Sequence, residues 1–280
     1  MAMPIDKDSL SSPKFTFGNG DVRILLTCND GTEATALVSS HALSLASPIW
    51  KALLHPTVPQ LDFRHIAFDA LIIILAITHL KFRDVPQRLP YATLLHVATL
   101  CNDYDCVDLV TVFLPQWLAD EAVESLKPGQ ENWLFITWVF GRNEVFENLA
   151  THMVKSMYLD EHGQWCISGG VLRGPWPPKI FDRMVSVRKS TIKALLSICY
   201  EQTNYYTRRE TRTTRCEFDF AVCDSTSYGS LVLGYNAIGL WPAKSADDIR
   251  CAISELVSGM RGVEVHTLGD RVHGGRVERH

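Results

Sequence analysis

Residues 65–80 read HIAFDALIIILAITHL. Ile66, Phe68, Leu71, Ile72, Ile73, Ile74, Leu75 and Ile77 leave no polar face. Strands rarely run to this length, and a helix that is apolar all round is a buried one. The stretch therefore predicts a helix over 65–80 at the centre of a core. Its longest uninterrupted apolar run, Ala70–Ile77, is too short to cross a bilayer.

The segment ahead of it, residues 39–56, reads SSHALSLASPIWKALLHP. Proline inside a helix removes a hydrogen bond and clashes with the preceding turn, but at the first helical position it costs nothing. Serine before it is a good N-cap. A first helix, His41 to Ala46, must therefore end at Ser47-Pro48, where a second begins with Ile49, Trp50, Leu53 and Leu54 as its apolar face. Two short helices meeting at a sharp corner are expected to pack on the buried one.

Upstream, Asp21–Thr27 and Thr32–Val38 flank the turn Asn29-Asp30-Gly31 and read as a β-hairpin. Val58–Asp62 is a candidate third strand. Beyond the buried helix, Pro90 opens a helix with Tyr91, Leu94, Ala98 and Cys101 on one face. Val107–Leu114 makes another, and Pro115 begins a turn carrying Trp117 and Leu118. Glu131–Phe140 is a short apolar helix closed by Gly141, a good residue for the position just past a helix end. Asn143 starts its antiparallel neighbour. Gly163–Pro178 reads as a loop and Ile180–Ile198 as a long amphipathic helix. Thr203–Thr214 reads as an exposed polar loop, and the state of Ser230–Leu240 is left open. Ser245 with Asp248 forms a capping box for a last helix bearing Ile249, Ile253, Leu256 and Met260. Residues 1–15 and 263–280 read as loose tails.

The 280-residue chain is 46% hydrophobic and 21% charged, the balance of a packed water-soluble protein. A net charge of −4 gives no bulk attraction to nucleic acid or anionic lipid. No signal-peptide core precedes the hairpin, so the eight cysteines are expected to be reduced thiols in an intracellular protein, in cytoplasm or nucleus. No GxGxxG, phosphate loop, HExxH or GxSxG occurs, so neither an enzyme nor a bound cofactor is expected. Cys101 and Cys106 read as two buried thiols rather than a metal pair or a redox couple. Arg208, Arg209, Arg212 and Arg215 near Tyr205 and Tyr206 could meet single-stranded nucleic acid or a phosphorylated peptide. The acidic balance and the absence of a nucleic-acid fold motif favour a solvated loop.

The order strand, strand, helical corner, buried helix, two further helices resembles the BTB/POZ family. The pieces that carry the resemblance are GDVRILL (20–26), LSLASPIWKALL (43–54), DALIIILAITHLKF (69–82) and LLHVATLCNDYDCVDLV (94–110). The variant is similar to the one common in filamentous fungi, as are WLFITWVFG (133–141), VRKSTIKALLSICYE (187–201), CDSTSYGSLVLG (223–234) and GLWP (239–242). The resemblance implies an α+β protein: a BTB/POZ-like domain over 16–120, a small sheet flanked by helices, followed by a mainly helical C-terminal region over 121–262. Where the family often has Val-His, this chain has Val38-Ser39, with the histidine at His41.

The family also implies a function without catalysis: an adaptor or scaffold for protein partners that pairs into a homodimer through the helical corner. The candidate contact residues are Leu43, Ile49, Trp50, Leu53 and Leu54. A cullin-3 ubiquitin-ligase adaptor is an alternative, but the acid that such adaptors carry after the second helix is missing from LLHPTVPQ (53–60). Transcriptional control is a third, disfavoured by the absence of paired zinc-finger spacing. Similar fungal chains carry cysteines near CEFDFAVC (216–223) and a His/Cys-containing tail. Cys216, Cys223, His266 and His273 could then hold a structural zinc, although Cys223 could equally be a small core residue.

Overall fold

The computed structural model describes residues 15–54, 60–207, 214–216 and 220–268. The chain is of mixed α+β type and divides into two compact units. The first holds residues up to Leu149 together with Gly174–Pro177; the second holds Ala150–Arg173 and everything from Pro178 on. The first unit thus runs past the boundary expected at 120, because the helix after it packs on an earlier one.

The first unit begins with strands β1 (Phe15–Thr16), β2 (Val22–Thr27) and β3 (Glu33–Val38). β2 and β3 form the predicted hairpin, with Val22 opposite Val38 and Ile24 opposite Ala36. Gly31 takes the left-handed conformation that its turn requires, at φ 81°. Helices α1 (Ser40–Ala46) and α2 (Pro48–Leu53) follow. Strand β4 (Gln60–Asp62) lies parallel to β2, and the sheet order is β1-β3-β2-β4. Residues 58 and 59 of the predicted third strand lie outside the described residues.

α3 (Phe68–Thr78) is the buried helix that the sequence predicts, shorter at both ends than 65–80. Ala70, Leu71 and every residue from Ile73 to Ile77 are buried on it. Three consecutive isoleucines are middling helix formers, but burying each is worth roughly 2 kcal/mol, which outweighs the few tenths lost in propensity. α3 ends in a turn where Lys81 N–H bonds Ala76 O at 2.8 Å and Leu80 stands at φ 59°. α4 (Tyr91–Asp103) buries Leu94, Val97, Ala98, Leu100 and Cys101. Val107–Leu114 is not the predicted helix: only a 3₁₀ turn forms at Val107–Val110, then α5 (Leu114–Trp117) and α6 (Glu121–Glu124). α7 (Trp133–Val139) packs on α4, where Tyr91 stacks on Trp133 at 6.4 Å. Its end is closed by Gly141 at φ 67°, as expected. α8 (Asn143–Ser156) starts where Asn143 predicts.

The second unit contains a small antiparallel sheet, β5 (Tyr158–Leu159), β6 (Trp165–Ile167) and β7 (Gly170–Val171), the last two within the stretch 163–178 that the sequence reads as a loop. Ser168 and Gly169 both have positive φ (48° and 84°), which suits the two-residue turn of a hairpin. α9 (Ile180–Thr207) continues nine residues beyond the expected Ile198, because buried Thr203 and half-buried Tyr206 still face the core. The loop expected over 203–214 is therefore helical at its start. α10 (Ala221–Ala237) settles the state of Ser230–Ala237 as helix. The capping box of Ser245 and Asp248 forms, but over a single 3₁₀ turn; α11 (Ile253–Arg261) begins separately. Ile192, Leu196, Leu231, Tyr235, Ile253 and Leu256 join in this unit's core.

Among the described residues no helix is long and apolar enough to cross a membrane.

Candidate protein interface

Five polar residues build the α1–α2 corner. Ser39 caps α1 by accepting from Ala42 N–H at 3.3 Å. Asp21 accepts from both the N–H and the hydroxyl of Ser40, each at 2.6 Å, and these bonds hold its carboxyl below the usual range. Ser39 N–H donates to His79 Nε2 at 3.0 Å. A backbone N–H can only donate, so Nε2 carries no proton; Nδ1 does, and gives it to Leu75 O at 2.8 Å. This histidine is neutral, and burial lowers it below its ordinary value. Ser47 closes α1 and caps α2, accepting from Trp50 N–H at 3.0 Å and donating to Tyr104 O.

This frame divides the apolar side chains into two sets. Leu43 and Trp50 are fully buried, and Trp50 lies against Phe63 and Tyr104 at 6.3 and 5.6 Å. Trp50 Nε1 is buried there without an acceptor. These two residues are core, which corrects their assignment as contact residues. Leu54 is half-buried. Ile49 and Leu53 are 38% and 44% exposed, and Leu45, which the sequence reading passed over, is 77% exposed. The helical period could have found Leu45: two residues from buried Leu43 is about 200° around the helix.

Burial, and next the neighbouring Cys216 thiol, push the Cys223 thiol up. His266 is tied through its backbone, its N–H to Ser230 Oγ at 3.0 Å and its carbonyl to Ser227 Oγ at 3.3 Å. His273, Arg208, Arg209 and Arg212 lie outside the described residues. Among the described residues no cluster of three or more His, Cys, Asp or Glu could hold a metal ion. Arg215 is folded back on its own chain, its guanidinium 4.6 Å above the Tyr205 ring and Nε donating to Tyr205 O at 3.0 Å.

A cavity of about 550 Å³ lies beside α6 and the start of α8. Two of its charged groups pair with each other: Arg142 Nε meets both Glu121 oxygens at 3.0 and 3.1 Å. No histidine or cysteine lines it.

The second unit holds a buried cation that sequence reasoning missed. Arg188 donates to the carbonyls of Met157, Ile249 and Cys251 at 3.3, 3.1 and 2.6 Å, and its guanidinium lies 5.1 Å over the Trp165 ring. Burial lowers its pKa, yet a guanidinium starts so far above neutrality that the charge stays. The cage is structural: every partner is a main-chain carbonyl or an aromatic face.

No protein-family model matches the chain, and no curated protein matches it.

Proposed function

We propose that residues 16–120 are a BTB/POZ-like module and that the protein acts without catalysis, as an adaptor that pairs with a second copy of itself through the α1–α2 corner. The observation that carries this reading is the outward set on that corner: Leu45, Ile49 and Leu53 face solvent while Leu43 and Trp50 anchor the same two helices from within. Apolar side chains grouped on rigid, capped helices lose little conformational entropy on association. The hairpin, the angled helix pair and the buried α3 support the family resemblance through their order. A stable pairing of this kind hides upwards of ~1,000 Å².

Sedimentation or light scattering on the full chain tests it. The wild type is expected to be dimeric at micromolar concentration. Leu45→Arg combined with Leu53→Arg is expected to weaken pairing at least about tenfold, or 1.4 kcal/mol, with an unchanged circular dichroism spectrum. A wild-type chain that stays monomeric, or a double variant that pairs as well as the wild type, removes the reading.

A further inference from the structure

α4 ends in a reverse turn that places one cysteine on another. Cys106 N–H donates to Cys101 O at 3.0 Å, and Asp105 N–H donates to Asn102 O at 3.4 Å. Between them Asp105 stands in the left-handed region at φ 48°. In this nested pair of bonds the residue after the left-handed position packs on the helical residue whose carbonyl it caps. Two apolar side chains ordinarily make that contact; here both are cysteines. The neighbouring Cys106 thiol and burial push the Cys101 thiol well up, and both residues are buried. A backbone bond of this span keeps the two Cα atoms within the short separation that a disulfide bridges. Cys166 and Cys199, also buried, instead face Asp160 and Tyr235.

We propose that Cys101 and Cys106 form a site of reversible disulfide formation by small neutral hydroperoxides. When the turn opens, one thiol meets water and loses its proton, and the thiolate attacks a peroxide oxygen; the O–O bond breaks, giving a sulfenic acid and hydroxide. The second thiol gives its proton to that hydroxide, and its sulfur attacks the sulfenic sulfur. The S–S bond forms, the S–O bond breaks, and the oxygen leaves as water once protonated. Overall two thiols and one hydrogen peroxide become a disulfide and two waters. An added dithiol reverses the change.

Burial selects the oxidant. Asn102, Asp103 and Asp105 are exposed, so the pair lies just beneath the surface and a small opening of the turn admits a peroxide. A tripeptide disulfide needs far more room. This site stands on the turn itself and is independent of the pairing reading above.

Trypsin releases one peptide, Leu89–Arg142, that holds these two cysteines and no others, since Lys127 is followed by proline. The full chain is treated with hydrogen peroxide at neutral pH, unfolded, alkylated and digested. Peptide mapping also separates this pair from Cys216 and Cys223. The expected product is the Leu89–Arg142 peptide two hydrogens lighter and unalkylated, restored to two alkylated thiols by dithiothreitol. Cys106→Ser is expected to abolish the two-hydrogen loss while keeping the native circular dichroism spectrum. Oxidised glutathione is expected to leave the native pair untouched. Two alkylated thiols after peroxide, sulfinic or sulfonic acid at either position, or a link to another peptide would each overturn the proposal. Glutathione attached to the native protein at either cysteine would overturn the selection by burial.

Discussion

The hydroxyl of Ser47 is bonded on both sides: it accepts from Trp50 N–H in the next turn and donates to the carbonyl of Tyr104, 57 residues away in sequence. One oxygen thus caps a helix and fastens the corner to the end of α4. Ser47→Ala removes both bonds and leaves a half-buried carbonyl without this donor. The expected cost is about 2 kcal/mol, read as a lower urea midpoint with unchanged slope.

His79 makes the corner sensitive to acid. It is neutral in the fold and its pKa is lowered there, chiefly by burial, so the unfolded chain takes up the proton first. Its stabilisation is complete above the ordinary histidine value near 6.5 and is lost as pH falls through the lowered native value. Protonation would also put a hydrogen on Nε2, against the Ser39 N–H. Urea midpoints are expected to fall between roughly pH 7.5 and 5.5, and His79→Gln should flatten that slope. Asp21 adds its own loss at more acidic pH, because its carboxyl is held below 3.8 in the fold.

Arg188 is not replaceable by lysine. Its planar fork reaches carbonyls on two separate stretches, Met157 and Ile249–Cys251, while its face lies on Trp165. Arg188→Ala orphans those carbonyls and should destabilise the second unit by roughly 3 kcal/mol. Arg188→Lys keeps the charge but not the fork, and is expected to cost more than about 1 kcal/mol. Chemical unfolding followed by tryptophan fluorescence checks both.

Gly20 is needed for space. A Cβ there would lie 2.6 Å from Leu37 Cγ and 2.7 Å from the main chain of Leu37 and Val38. Backbone atoms of a paired strand cannot step aside, so Gly20→Ala should cost about 2 kcal/mol, visible as a lower thermal midpoint. An unchanged midpoint would mean that β3 yields.

Much of the first unit was legible because its signals are local. Ser47-Pro48 sets the corner through φ and a missing N–H; Asn29-Asp30-Gly31 sets the hairpin; the unbroken apolar run sets α3. Which face of the corner looks inward was less so. Leu43, Leu45, Ile49, Trp50 and Leu53 are alike in hydrophobicity, and only the position of Phe63 and Tyr104 draws Trp50 inside. The Cys101–Cys106 contact was hidden too, since five residues along an ideal helix do not share a face and the chain reverses between them.

By itself the sequence determined the turns, the caps and the buried helix, because proline, glycine, serine and long apolar runs act over a few neighbouring residues. Tertiary structure alone decided where the last helix begins. Ser245 and Asp248 make a valid start, but the next three carbonyls are engaged elsewhere, Ile249 and Cys251 by the Arg188 guanidinium and Arg250 chiefly by Leu159 N–H at 2.9 Å, and the chain turns helical again only at Ile253. A buried cation from 61 residues earlier holds these carbonyls outside any helix, because charge-assisted bonds away from water are strong.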